Sequence, residues 1–203
     1  MSAKPAGIVL GSGRLEAFSD GVLAIIITIM VLELKVPHDD SVAALVPLLP
    51  VFLSYLVSFV YVGIYWTNHH HMMHTCTRVT GPILWANLHL LFWLSLIPFV
   101  TGWMGENHFE SIPTALYGAV LLMSGMAYVI LQHQIIVSQG PDSLLGRAVQ
   151  SDRKGKASHL LYVVAIVLAF RWRWVAQAIY VLVALMWLVP DPRIEKTLVS
   201  RGG

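Results

Sequence analysis

Charged residues stand directly before the first long apolar run of the chain. Arg14, Glu16 and Asp20 precede Gly21, and the residues from there to Leu34 are mostly aliphatic. With the turn before it, this run has the length of a membrane-spanning helix. Charge inside such a segment is costly unless it is paired or faces water, so it marks candidate functional positions. Arg14 and Glu16 are also compatible with the lipid headgroup region, whereas Asp20 lies about one turn further in.

The composition is that of an integral membrane protein. Hydrophobic residues make up 57% of the 203 positions and charged residues 12%, and the mean hydropathy is +0.70. Soluble domains carry about 25% charged residues, roughly twice as many. Cys76 is the only cysteine, which excludes an intrachain disulfide. The first run lacks a small-residue cleavage site, so we do not expect a signal peptide.

Six apolar runs predict an all-α fold with six transmembrane helices in one domain, residues 1–203. The expected spans are about 15–36, 45–67, 82–104, 112–137, 157–172 and 174–190. The last two are short and form a tight hairpin around residues 171–174. Pro47 and Pro98 predict local kinks, and the hydrophilic run 138–158 is expected to be the one long loop.

The basic residues predict that both termini lie in the cytoplasm. Ten of the 13 lysines and arginines fall on the inner side if the N-terminus is inside. The excess of lysine and arginine in cytoplasmic segments sets the orientation of membrane proteins. The inner set is Lys4, Arg14, Arg78, Arg147, Arg153, Lys154, Lys156, Arg193, Lys196 and Arg201, and the outer set is Lys35, Arg171 and Arg173.

One face of the first span carries an aliphatic stripe. Gly21, Ile25, Thr28, Ile29 and Leu32 fall within about 100° of helical arc. Copies of this stripe around a symmetry axis would form a hydrophobic constriction that gates by dewetting, with a ring of hydroxyl groups one turn away. A lipid-facing or helix-packing role explains the same pattern, and the residues alone favour that simpler interpretation.

The histidine-rich end of the second span is the obvious candidate for a metal site. His70 and His74 share a helix face, and Cys76 is close in sequence. No further cluster of histidine, cysteine or carboxylate at fixed spacing completes a ligand set, and His89 and His133 are isolated. We therefore expect no metal, no haem and no other cofactor, and a hydrogen-bonded structural role for His70.

A specific motif heads the first span and resembles the transmembrane protein 175 family of lysosomal potassium channels. The motif is Arg-x-x-x-Phe-Ser-Asp, formed by Arg14, Phe18, Ser19 and Asp20. Softer matches are Trp66-x-x-His69-His70 at the end of the second span, Asn87-Leu-His-Leu-Leu in the third, and Pro98-Phe99 near its end. The six-span count is similar to that of the bacterial members.

This resemblance implies a homotetramer in which four first helices line a central pore. It places the narrowest ring at Ile25, a hydroxyl ring at Thr28 and a further aliphatic ring at Leu32. It also implies that Arg14, Ser19 and Asp20 anchor the first helix to its neighbours through a second set of residues. That second set is His70, Trp66 and Asn87.

The expected function is therefore a potassium-permeable cation channel in a prokaryotic inner membrane. Its partners would be further copies of the chain, lipid and permeant monovalent cations. The alternative is a proton-coupled or ion transporter that uses Asp20 and the histidine cluster. A membrane enzyme is disfavoured because no nucleophile or metal set is visible, and no nucleic-acid-binding motif is present.

Overall fold

Eight α-helices and one 3-10 helix make up residues 12–149 and 152–188, the part of the chain that the computed structural model describes. The α-helices are α1 (Ser12–Leu32), α2 (Leu49–His74), α3 (Gly81–Ser95), α4 (Ile97–Glu106), α5 (Ser111–Gln139), α6 (Leu144–Val149), α7 (Arg153–Ala169) and α8 (Arg173–Leu188). The 3-10 helix, Val42–Leu48, leads directly into α2. The expected all-α class is confirmed for these residues.

In the described part of the chain, four helical segments are long and apolar enough to cross a membrane. They are Ser12–Leu32, Val42–His74, Gly81–Glu106 and Ser111–Gln139. Helices α7 and α8 have 17 and 16 residues and are shorter. The molecule is thus a multi-pass membrane protein, with helices as its regular structure over residues 12–149 and 152–188.

The spans differ from their expected limits mainly at their ends. Helix α1 ends at Leu32 instead of position 36, and α2 continues to His74 instead of stopping near 67. The histidine-rich end of α2 stays helical because no proline or glycine interrupts it and because its side chains bond to α1 and α3. Positions 189–190 of the sixth predicted span lie outside the described residues, as do Lys4, Arg193, Lys196 and Arg201.

The third span is interrupted near Pro98, where a kink was expected, whereas Pro47 lies in a 3-10 segment that continues directly into α2. The third span is divided at Leu96, two residues before Pro98, where the Leu96 N–H bonds to the Trp93 carbonyl at 3.2 Å. Pro98 has no N–H to continue the α-helical pattern. Pro47 lies inside the 3-10 helix that precedes α2.

The hydrophilic run 138–158 is not one long loop, and this expectation was wrong. Helix α5 reaches Gln139, the short α6 follows, and α7 already begins at Arg153. Asp152 caps α7, because its Oδ1 accepts a bond of 2.8 Å from the Gly155 N–H. Gly140, with φ of 93°, makes the turn after α5, a conformation that glycine adopts readily.

The core of the bundle is filled by large side chains with their polar atoms satisfied. Tyr61, Tyr117 and Tyr180 are at most 2% exposed. The Tyr61 hydroxyl donates to the Tyr180 carbonyl at 2.6 Å, and the Ser58 and Tyr117 hydroxyls lie 3.0 Å apart. Helix α5 packs against α3, α4 and α7, while α1 packs against α2, α3 and α4.

Ion pairs join the loops at one end of the bundle. Lys35 Nζ lies 2.7 Å from Glu106 Oε1, and Arg173 pairs with Glu110. The bond to Glu106 raises the pKa of Lys35, and the bond from Arg173 lowers the pKa of Glu110. The segments after the first and third spans and before the sixth therefore lie on the same side.

Candidate functional site

Helix α1 has one face that is buried against the other helices of the chain. Leu15, Ser19, Leu23, Ile26 and Met30 are at most 8% exposed. They recur every three or four residues, which places them along a single side of the helix. Ser19 is fully buried although it is polar, so its hydroxyl needs hydrogen-bond partners.

The opposite face of α1 is uncovered. Ile25, Ile29 and Leu32 are 58%, 44% and 77% exposed, and Thr28 and Gly21 are exposed as well. No helix of the described part of the chain covers this predicted stripe. In a membrane protein such a face contacts lipid, another subunit or a water-filled path.

Thr28 gives the uncovered face its polar group. Its hydroxyl donates to the Ile25 carbonyl at 2.9 Å, within the same helix. The hydroxyl oxygen keeps lone-pair capacity and remains on the exposed side. This oxygen can accept a hydrogen bond from water or contact a cation.

A chain of hydrogen bonds fixes the buried face of α1 to α2 and α3. The Asn87 amide nitrogen donates to the Ser19 hydroxyl at 2.9 Å, and that hydroxyl donates to the Leu15 carbonyl at 2.9 Å. The Asn87 Oδ1 lies 2.8 Å from Nε2 of His69. Asn87 and His69 are at most 2% exposed, so the chain of bonds is closed to solvent.

His69 is the member of this network that sequence reasoning missed. The expected structural histidine was its neighbour, His70. Since Asn87 uses its nitrogen on Ser19, its oxygen must accept, and the network assigns a proton to Nε2 of His69. The ring's Nδ1 is buried without a hydrogen-bond partner in the described residues. The one available signal was the position of His69 three residues after Trp66, on the same face of α2.

Two further contacts hold α1 against α2. The Trp66 indole N–H donates to Asp20 Oδ1 at 3.1 Å, and His70 Nδ1 lies 2.7 Å from Glu16 Oε1. The rings of Trp66 and His70 are stacked, with centroids 6.1 Å apart. The half-buried Asp20 thus meets a neighbouring helix of its own chain and lies off the uncovered stripe.

Two residues of the Arg-x-x-x-Phe-Ser-Asp motif take no part in these contacts between helices. Arg14 is exposed and forms no ion pair within residues 12–149 and 152–188. Phe18 is 54% exposed and is not packed into the core. Because it precedes Ile25 by seven residues, Phe18 lies about 20° from Ile25 around the helix. The structure therefore places Phe18 on the uncovered face and not among the residues that hold α1 in position.

Glu16, His70 and His74 are the described residues that bring metal-ligand atoms together. One ligand atom from each lies within 4.8 Å of the others. Sequence spacing showed no cluster that completes a ligand set with His70 and His74, and the structure brings Glu16 beside them from another helix. Glu16 is 54 positions before His70 in the chain, so local spacing did not reveal the contact.

The fold and this site define a class: a multi-pass helical membrane protein whose first helix is anchored on one face and uncovered on the other.

The family model described as endosomal/lysosomal potassium channel TMEM175 matches residues 14–98. A potassium channel of Chryseobacterium sp. is 58% identical over 186 residues, which is 92% of this chain and 97% of that protein. A potassium channel of Chamaesiphon minutus is 30% identical over 191 residues, which is 86% of this chain and 92% of that protein.

A solved structure supports the same assignment. The crystal structure of a lysosomal potassium-selective channel TMEM175 homolog from Chamaesiphon minutus superposes with a TM-score of 0.75 and 27% identity. The match covers 88% of this chain and 96% of that one. The chain belongs to the TMEM175 family, and the resemblance carried by the Phe-Ser-Asp motif is confirmed.

Proposed function

We propose that this chain forms a homotetrameric, potassium-permeable cation channel in a bacterial inner membrane. Relatives that match most of the chain are named potassium channels, which supports the activity. The observation that carries the mechanism is the uncovered face of α1, opposite a face fixed by hydrogen bonds. This arrangement suits a rigid pore-lining helix.

The ion path runs between subunits in this proposal. The interior of one bundle is filled by Tyr61, Tyr117 and Tyr180, and ions crossing there would have to displace buried side chains. Interiors of this kind are close-packed and do not open without cost. A path between copies needs no such opening, and the stripe of α1 offers an uncovered surface with a hydroxyl group.

The constriction is proposed at Ile25. Four isoleucine side chains around an axis would exclude water, and a cation would have to shed hydration or wait for the ring to wet. Thr28 would supply four hydroxyl oxygens about one turn away, and Ile29 and Leu32 would extend the apolar lining. The sequence has no Thr-Val-Gly-Tyr-Gly loop that could form a carbonyl filter. We therefore expect moderate selectivity for potassium over sodium.

Six membrane crossings with both termini in the cytoplasm complete the proposed topology. Helices of 17 and 16 residues measure about 25 Å, slightly less than the bilayer core of about 30 Å. Flanking basic residues and local thinning accommodate such short helices. Arg153 and Lys156 occupy the first turn of α7 and Arg173 begins α8, so these charges mark the ends of the helices and the apolar parts are shorter than the full lengths.

The transporter alternative would require Asp20 and the histidines to face a moving ion or proton. Asp20 is bonded to Trp66, His69 to Asn87, and His70 to Glu16. These bonds support an anchoring role and leave the channel as the better proposal.

Reconstitution tests the proposal. Purified protein in a planar bilayer between unequal potassium concentrations should carry a current that reverses close to the potassium equilibrium potential. Its mass in detergent should correspond to four chains. A silent protein of verified fold, or a monodisperse monomer, would contradict the proposed channel.

A further inference from the structure

A carboxylate and two imidazoles from α1 and α2 meet at one end of the bundle. Glu16 Oε1 lies 2.7 Å from His70 Nδ1, and His70 Nε2 lies 3.0 Å from His74 Nε2. We propose that Glu16, His70 and His74 form a Zn²⁺ site that joins the beginning of α1 to the end of α2.

The donor set has the chemistry of a zinc site. Two imidazoles and one carboxylate form a three-ligand set known from zinc proteins, with a fourth position left for water. With Zn–N distances of 2.0–2.1 Å, the ligand atoms of a tetrahedral site lie about 3.4 Å apart. One ligand atom of each residue already lies within 4.8 Å of the others. Because Nδ1 of His70 faces Glu16 and its Nε2 faces His74, His70 would bind the ion through one of these atoms, and the side chain on the other side would have to rotate toward the ion.

The backbone holds the ligands ready for binding. His70 and His74 are four residues apart on α2, which places their rings on one helix face, where they meet edge to face. Their ring centroids are 4.3 Å apart. Glu16 comes from α1, whose position is fixed independently by the bond between Ser19 and Asn87. Little conformational entropy remains to be lost when the ion binds.

The proposed ligands are partly buried, and the site is open to solvent on one side. The side chain of Glu16 is 19% exposed and that of His70 is 39% exposed, so the carboxylate is partly desolvated. His74 is exposed at the last residue of α2 and offers an entry path from solvent. An ion bound here would take over the existing contact between Glu16 and His70 and join α1 to α2 beside the bond from Trp66 to Asp20.

Zinc binding can be measured without any ion current, so its outcome is independent of the proposed channel function. Tag-free protein is titrated with ZnCl₂ by calorimetry, and zinc per chain is measured after dialysis. We expect about one zinc per chain and a higher melting temperature in the presence of the ion. His74→Ala removes a ligand and keeps the contact between Glu16 and His70. Glu16→Gln is the second variant, which removes the charged ligand.

The matched control is His71→Ala, a neighbouring histidine that is not part of the cluster. Both ligand variants should lose more affinity than the about 10- to 100-fold that loss of an outer-shell partner costs. His71→Ala should bind as the unchanged protein does. Binding well below one zinc per chain would overturn the site. So would His74→Ala and Glu16→Gln proteins that elute normally and bind zinc as tightly as the unchanged protein.

Discussion

The amide nitrogen of Asn87 lies 2.9 Å from the hydroxyl oxygen of Ser19, and both residues are fully buried. This contact joins α3 to the face of α1 that carries the family motif. Because Asn87 also accepts from His69, one side chain connects three helices. The orientation of the uncovered face of α1 depends on this connection.

Asn87→Ala should destabilise the protein substantially. The change leaves the buried His69 Nε2 without its acceptor, which costs about 1–3 kcal/mol, while Ser19 loses one donor and keeps its bond to the Leu15 carbonyl. Thermal unfolding in detergent should show a clearly lower midpoint. Asn68→Ala is the control, since the Asn68 side chain bonds to Ile64 of its own helix. Equal midpoints for the two variants would mean that the network does not hold α1 in place.

Asp20 should support assembly without determining ion selectivity. Asp20→Ala removes the acceptor for the Trp66 indole N–H, and Trp66→Phe removes the donor. Each change should lower the melting temperature and the yield of tetramer, and the double variant should lose less than the sum, because both delete the same contact. An Asp20→Asn or Asp20→Ala channel that assembles normally but reverses at a different potential would contradict this role.

Gly105→Ala should disrupt the packing of α4 on α2. A Cβ at Gly105 would lie 2.7 Å from the Val51 Cα and 2.5 Å from the Ser54 hydroxyl oxygen, and a backbone atom cannot rotate away. Overpacking of this kind costs about 1–3 kcal/mol. The control is Gly63→Ala in α2, where a Cβ would meet nothing within 4 Å. Comparing the two melting temperatures checks the close approach, and similar values would argue against it.

The pair formed by Glu110 and Arg173 should give a small dependence of stability on acid pH. The bond from Arg173 lowers the pKa of Glu110, so the pair stabilises the fold above the ordinary carboxyl range and loses this contribution as the pH falls through the lowered value. Glu110→Gln should melt slightly lower than the unchanged protein at pH 6. The difference should shrink as the pH falls through the lowered pKa of Glu110 and vanish below it. A constant difference across this range would show that charge is not its cause.

Much of the fold followed from the sequence because a long run of apolar residues predicts a membrane helix. The interruption near Pro98 followed as well, since proline acts through local backbone chemistry. The short α6 did not, because a six-residue helix in a polar stretch depends on tertiary contacts more than on its own propensity.

Sequence reasoning predicted the parts of the candidate site that depend on which residues share a face of one helix. The 3.6-residue repeat put Ile25, Thr28 and Leu32 on one face, and the structure places them there. Periodicity alone does not fix how α2 is rotated against α1. It therefore could not show that His69 faces Asn87 while His70 faces Glu16.

The most direct test of the account is the ion current of the Ile25→Asn channel. If Ile25 forms the narrowest ring, four amides would hydrogen-bond water where four aliphatic groups exclude it. Conductance should then rise, by about tenfold if the barrier falls by about 1.4 kcal/mol, and discrimination between potassium and sodium should weaken. Ile27, packed against the core on the other side of α1, supplies the matched control Ile27→Asn, which should give no such gain. Unchanged conductance and selectivity in a correctly assembled Ile25→Asn tetramer would contradict the account, because α1 would then not line the narrow part of the pore.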